Sequence, residues 1–134
     1  MIDYNKPLPK SFPISEGYWE GCRNRQLVFQ QCKDCGTYRH YPRPMCPNCY
    51  SMHFHWSPVR GRGKIYSVTV THHSAHPGFK DLPFAVVIVE MEEGLRVVGD
   101  LVNARPDEIR IGMPVEVTFD DVTEDVTLPR FREI

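Results

Sequence analysis

The stretch from Cys32 to Cys49, "CKDCGTYRHYPRPMCPNC", constrains this chain more than any other feature: it holds four of the five cysteines as two C-x-x-C pairs separated by ten residues. Each tight turn can present two sulfurs, and the segment between can fold one turn onto the other, giving four thiolates around one ion. Pro42, Pro44 and Pro47 exclude a regular helix there. Four sulfur ligands leave no position for water or substrate, so such a site is closed and structural. The expected cofactor is zinc, held by Cys32, Cys35, Cys46 and Cys49. A rubredoxin-like iron site is the rival; Cys35-Gly36 and Cys46-Pro47 favour it, while Tyr50 after Cys49 departs from its pattern.

Nothing at the amino terminus resembles a secretory signal, and the longest apolar run, "FAVVIV" from Phe84 to Val89, is far below the ~20 residues that cross a bilayer. The expectation is a cytoplasmic chain without a membrane partner. In that reducing compartment, paired C-x-x-C motifs read as metal ligands in preference to disulfides.

A chain of 134 residues makes one compact unit, or a small domain carrying a smaller module. Prolines at 7, 9 and 13 mark Met1 to Pro13 as an extended arm. In "SEGYWEGCRNR" Ser15 can cap a short helix, with Tyr18, Trp19 and Cys22 on one face. A strand from Gln26 to Gln31 leads into the first cysteine pair. Beyond "RGRGK", the run "IYSVTVTHH" alternates as a strand does. Phe84 to Met91 and Leu95 to Val102 flank the hairpin loop "EEG". Val115 to Val122 and Val126 to Phe131 follow. Five short strands with no helix between them predict a small closed barrel of the OB type, with a β-sandwich as the alternative. Tyr66, Val68, Val70, Val115, Val117 and Phe119 are the expected inward side chains, and an antiparallel barrel over Ile65 to Phe131 is expected to carry them.

The formal net charge of -1 hides an asymmetry, because Met1 to Lys64 carries a net +6 and Ile65 to Ile134 a net -7. An acidic barrel half makes nucleic acid an unfavoured partner, although OB barrels and zinc ribbons both serve that purpose. "THHSAHPGF" brings His72, His73 and His76 into one loop, readable as a solvated connection or as a second metal or acid/base site. Cys22 has no activating base beside it and reads as a structural thiol. No Ser-His-Asp order, phosphate-cradling glycine loop or zincin helix is present.

The ordered blocks "YWEGCRNRQLVFQQCKDCGTYRHYPRPMCPNCYS", "GRGKIYSVTV", "HPGF", "LPFAVVIVEMEEG", "IRIGMPVEVTFDDV" and "LPRF" cover nearly the whole chain. Together they resemble the zinc-ribbon plus OB-fold proteins known as acyl-CoA-associated or thiolase-companion proteins. The resemblance implies a mainly β chain: an amino-terminal arm and helical segment over residues 1–26, a rubredoxin-like zinc ribbon over 27–59, and a five-stranded OB-fold domain over 60–134. It also implies a non-catalytic accessory subunit of a thiolase, acyltransferase, aldolase or hydratase complex acting on CoA thioesters, with the zinc ligands at the four cysteines above. Asp100 departs from the more neutral strand of such proteins and would mark a particular partner.

On this reading the partner is a thiolase-fold or other acyl-CoA enzyme in a hetero-oligomer, and the CoA thioester is met indirectly. Tyr18 and Trp19 are the candidate partner anchors, since aromatic residues are favoured there. Arg60, Arg62 and Lys64 are candidates for the phosphates of CoA, and His76 and Phe79 are further candidate contacts. A single-stranded nucleic-acid-binding module is the alternative function.

Overall fold

The computed structural model describes residues 4–80 and 82–134. The first three residues of the expected arm lie outside that range. A single turn of 3-10 helix at Pro13–Ser15 opens the helix α1, Glu16–Arg23. Ser15 precedes α1 as expected but does not cap it. Its hydroxyl donates to the Phe12 carbonyl at 3.2 Å and accepts the Phe12 N–H at 3.0 Å. Pro13 starts the tight turn, and closing that turn takes the hydroxyl a helix cap would need.

Three strands then form the ribbon sheet in the order β2-β1-β3, with β1 Val28–Cys32, β2 Tyr38–Arg39 and β3 Phe54–Pro58. Helix α1 lies close enough that a side chain at Gly17 would strike the Trp56 indole of β3, its Cβ reaching 2.2 Å from Nε1. Glycine is therefore required at Gly17 by contact. Cys22 on α1 is fully buried, and that burial pushes its thiol up to about 12. It is an inert core group, as its neighbours in sequence suggested.

Five strands follow: β4 Arg62–Thr71, β5 Phe84–Met91, β6 Arg96–Val102, β7 Pro114–Asp121 and β8 Thr127–Glu133. They close in the order β4-β5-β6-β8-β7. All pairs are antiparallel except β6 with β8, where Leu101 and Val102 lie parallel to Phe131 and Arg132. The expected wholly antiparallel barrel is corrected on that seam. Gly94 turns the β5–β6 hairpin with φ +90°, the left-handed conformation that the loop requires.

Ile65, Val87, Val89, Met91, Val97, Leu101, Val115 and Phe131 form the barrel interior, with Val68, Val117 and Phe119 packed against it. Tyr66 is a second correction. A register shift between Ile65 and Ser67 sends Ile65 inward and leaves Tyr66 46% exposed beneath the Arg96 guanidinium, 3.9 Å from the ring centroid. A β-bulge adds one residue and reverses the alternation beyond it, so Ile65 and Val68 both face the core despite opposite parity.

Candidate metal centre

The two cysteine turns are built alike. In the first, the Cys32 N–H donates to the Thr37 carbonyl at 2.9 Å and the Gly36 N–H to the Cys32 carbonyl at 3.0 Å. In the second, the Cys46 N–H donates to Ser51 at 2.9 Å and the Tyr50 N–H to Cys46 at 3.0 Å. Both turns end on a left-handed residue, Gly36 at φ +77° and Tyr50 at φ +64°.

The turns face each other. Cys32 Sγ lies 3.6 Å from Cys49 Sγ, Cys35 Sγ lies 3.6 Å from Cys46 Sγ, and all four sulfurs fall within 4.8 Å of one another. A tetrahedron with zinc–sulfur bonds of about 2.3 Å has edges of roughly 3.8 Å. The cluster fits that ion, and every separation is too long for a disulfide.

Hydrogen bonds prepare two of the sulfurs, Cys32 and Cys35, for ionisation. The Thr37 hydroxyl lies 3.1 Å and the Asn48 amide 3.6 Å from Cys35 Sγ. The Thr37 hydroxyl, then its backbone N–H, then Asn48 hold the Cys35 thiol down at about 6. Backbone N–H groups of Cys35 and Asp34 lower Cys32 in the same way. The Ser51 hydroxyl donates to the Asp34 carboxylate, and His53 Nδ1 lies 3.5 Å from it, tying one turn to the other. That Ser51 bond, with His53 behind it, holds the Asp34 carboxyl below the usual range.

The remaining sites anticipated from sequence are scattered. Tyr18 is 7% exposed, meets Trp19 edge to face at 5.1 Å and packs on His40 at 5.1 Å. With Trp19, Phe12 and Tyr41 it lines a cavity of about 410 Å³ where helix, ribbon and barrel meet. Arg60 pairs with Glu92 at 3.6 Å and Arg62 with Glu116 at 3.9 Å, so part of the basic cluster is neutralised within the chain. Phe79 stacks on Phe84 at 5.7 Å and meets His76 at 5.5 Å. Arg60 and Arg62 lie at the start of β4 and His76 and Phe79 beyond its end, ends that a ten-residue strand separates by roughly 30 Å. Asp100 is engaged by Arg130 of β8 at 2.5 Å, and Arg130 also holds Asp120 at 2.9 Å.

Two contacts were missed in the stretch between the cysteine pairs. His40 is sandwiched by Tyr18, Phe29 and Tyr41, and burial pushes it down to about 4. The Tyr41 hydroxyl accepts the Val98 N–H of β6 at 2.9 Å, fastening ribbon to barrel. No spacing in "TYRHYPRP" signals either one.

Comparison with known proteins agrees with this architecture. Residues 19–51 match the family described as ChsH2, rubredoxin-like zinc ribbon domain, and residues 56–120 match ChsH2, C-terminal OB-fold domain. A probable enoyl-CoA hydratase alpha subunit of Thermomonospora curvata is 44% identical over 95% of this chain, which spans only 40% of that subunit. A DUF35 domain-containing scaffold protein of Methanocaldococcus jannaschii is 35% identical over 80% of this chain and 77% of its own length. The solved structure titled Ltp2-ChsH2(DUF35) aldolase contains a chain superposing with a TM-score of 0.87 at 40% identity, covering 94% of this chain and 98% of that one. The zinc-ribbon match spans the sulfur cluster, so the cofactor is a structural zinc. The chain belongs to the ChsH2 family, which joins a rubredoxin-like zinc ribbon to an OB-fold domain.

Proposed function

We propose that this chain is a non-catalytic scaffold subunit that docks on an acyl-CoA enzyme of thiolase, aldolase or hydratase type and supports its assembly and substrate access. The observation that carries this is the likeness, over 94% of the chain, to a chain of a structure titled as an aldolase with ChsH2. The sulfur cluster is consistent with it. Cys32, Cys35, Cys46 and Cys49 hold zinc and thereby lock the ribbon, and a fourfold sulfur site has no opening for chemistry.

Trp19 is the partner anchor on this reading, with exposed Phe12 and Tyr41 beside it and buried Tyr18 supporting it from beneath. Arg60, Arg62 and Lys64 receive phosphate groups of CoA, and His76 and Phe79 contact the complex at the far end of β4. The test is co-expression with an acyl-CoA enzyme encoded beside it, followed by gel filtration and turnover. Co-elution with an enzyme that needs this chain for full activity is expected; separate elution with full activity of the enzyme alone overturns the proposal.

One observation favours the nucleic-acid reading. Exposed Tyr66 under Arg96 is an aromatic and a cation on the barrel's outer face, the pairing that stacks bases. Against it, Glu90 sits 3.7 Å from Arg96. Binding of single-stranded DNA that weakens steeply with salt would support this alternative.

A further inference from the structure

Arg39 heads the fully buried side chains by volume and is 2% exposed. Its Nε, Nη1 and Nη2 all lack a hydrogen-bond partner among the described residues. The guanidinium sits over the Phe54 ring, 5.0 Å from its centroid. A cation–π contact offsets only a small part of the desolvation of a buried charge, so this charge requires an anion nearby. The Gln30 amide nitrogen, on a side chain 1% exposed, is a second buried donor without a partner.

Strand register places Arg39 and the first sulfur ligand on one side of the sheet. Gln30 of β1 stands opposite Arg39 of β2, and Cys32 of β1 stands opposite Phe54 of β3. Alternate residues of a strand share a face, and directly paired residues across strands do too. Arg39, Gln30, Phe54 and Cys32 therefore belong to one face of the ribbon sheet, with the guanidinium resting on the ring of the residue paired with Cys32. Zinc held by four thiolates is a dianion; Cys35 and Cys49 face solvent, but the side of the centre at buried Cys32 and Cys46 costs free energy unless donors and cations lie against it.

We propose that Arg39 is the buried counter-charge of the zinc–thiolate centre, assisted by the Gln30 amide. The proposal rests on the four cysteines being the zinc ligands. It makes Arg39 a positioning residue that favours the metal-loaded ribbon and opposes the empty one, where its charge has nothing to balance.

The test uses the full chain with Arg39→Met, which keeps length and apolar packing on Phe54, and Arg39→Lys, which keeps charge. Zinc affinity is measured by competition with a chromophoric chelator, and the sulfur-to-metal charge-transfer band is recorded after cobalt substitution. Arg39→Met should lose roughly tenfold or more in zinc affinity, the range seen when groups supporting a ligand are removed, and Arg39→Lys should retain most of it. The cobalt band should move to longer wavelength in Arg39→Met, because thiolates without a nearby cation release electron density more easily, and should return toward its original position in Arg39→Lys. Equal affinity and an unmoved band in Arg39→Met overturn the proposal, as does an Arg39→Lys variant as impaired as Arg39→Met. Wild-type chain isolated without zinc would instead refute the ligand assignment.

Discussion

Tyr50 occupies, at φ +64°, the position that Gly36 fills at +77° in the other cysteine turn. A non-glycine residue held left-handed costs about 1–2 kcal/mol, and the ring is 72% exposed, so little packing offsets that cost. Tyr50→Gly should raise thermal stability by a few tenths to about 1 kcal/mol, since glycine's larger unfolded-state entropy takes back part of the gain. A lowered melting temperature would show that Tyr50 makes a contact worth more than its strain. His40 carries a second expectation at this scale. Burial depresses it from 6.5 to about 4, so between those values the unfolded chain binds a proton that the folded chain refuses. Its contribution is fully present above pH 6.5 and is lost as pH falls toward 4, by up to about 3 kcal/mol. The difference in unfolding free energy between wild type and His40→Phe, followed from pH 7.5 to 4, isolates that slope; a constant difference would place His40 in solvent.

In β4 a single bulge decides which side chains matter. Ile65→Ala should cost about 2–5 kcal/mol, as deletions from a packed core do. Tyr66→Ala should cost below about 1 kcal/mol, the worth of an exposed cation–π pair. Chemical denaturation of both variants checks this, and the reverse order would restore the unbroken alternation. Period-two patterning located β4 and β7, because each buries one face against a shared interior, while the glycine-bearing hairpin loop located β5 and β6. It could not locate the bulge, since "IYSVTV" alternates cleanly in sequence and only pairing with β5 requires the extra residue. Strands β2 and β3 were illegible for another reason. β2 is two residues long, and β3, "FHWSP", alternates Phe54 and Trp56 with polar residues over too short a run before Pro58 to stand out; both exist because the cysteine turns bring them beside β1. Tyr41→Phe probes how ribbon and barrel join. Loss of the acceptor for the Val98 N–H should cost about 1 kcal/mol, read as a lower melting temperature.

For the whole molecule, zinc is one external contribution and the proposed partner enzyme would be the other. Cys32→Ser, or chelation of the metal, should unfold the ribbon, because zinc binding energy at such sites is folding energy. Unchanged circular dichroism and melting after metal removal would contradict that. In the proposed complex, Trp19→Ala should weaken assembly by roughly 1–3 kcal/mol, measured as the dissociation constant for the partner enzyme. What the sequence determined by itself was local or periodic: the metal set, since four thiols at C-x-x-C spacing need only two tight turns, and the barrel strands, since alternation in β4 and β7 reports a buried face and a glycine loop marks the β5–β6 hairpin. The tertiary structure decided what depends on groups far apart in the chain. It paired Asp100 with Arg130, buried Tyr18 against Trp19, turned Tyr66 outward, and placed Arg39, without a hydrogen-bond partner among the described residues, on the face that carries Cys32. Those outcomes follow from strand register and from the docking of ribbon on barrel, and neither leaves a pattern within any short stretch of residues.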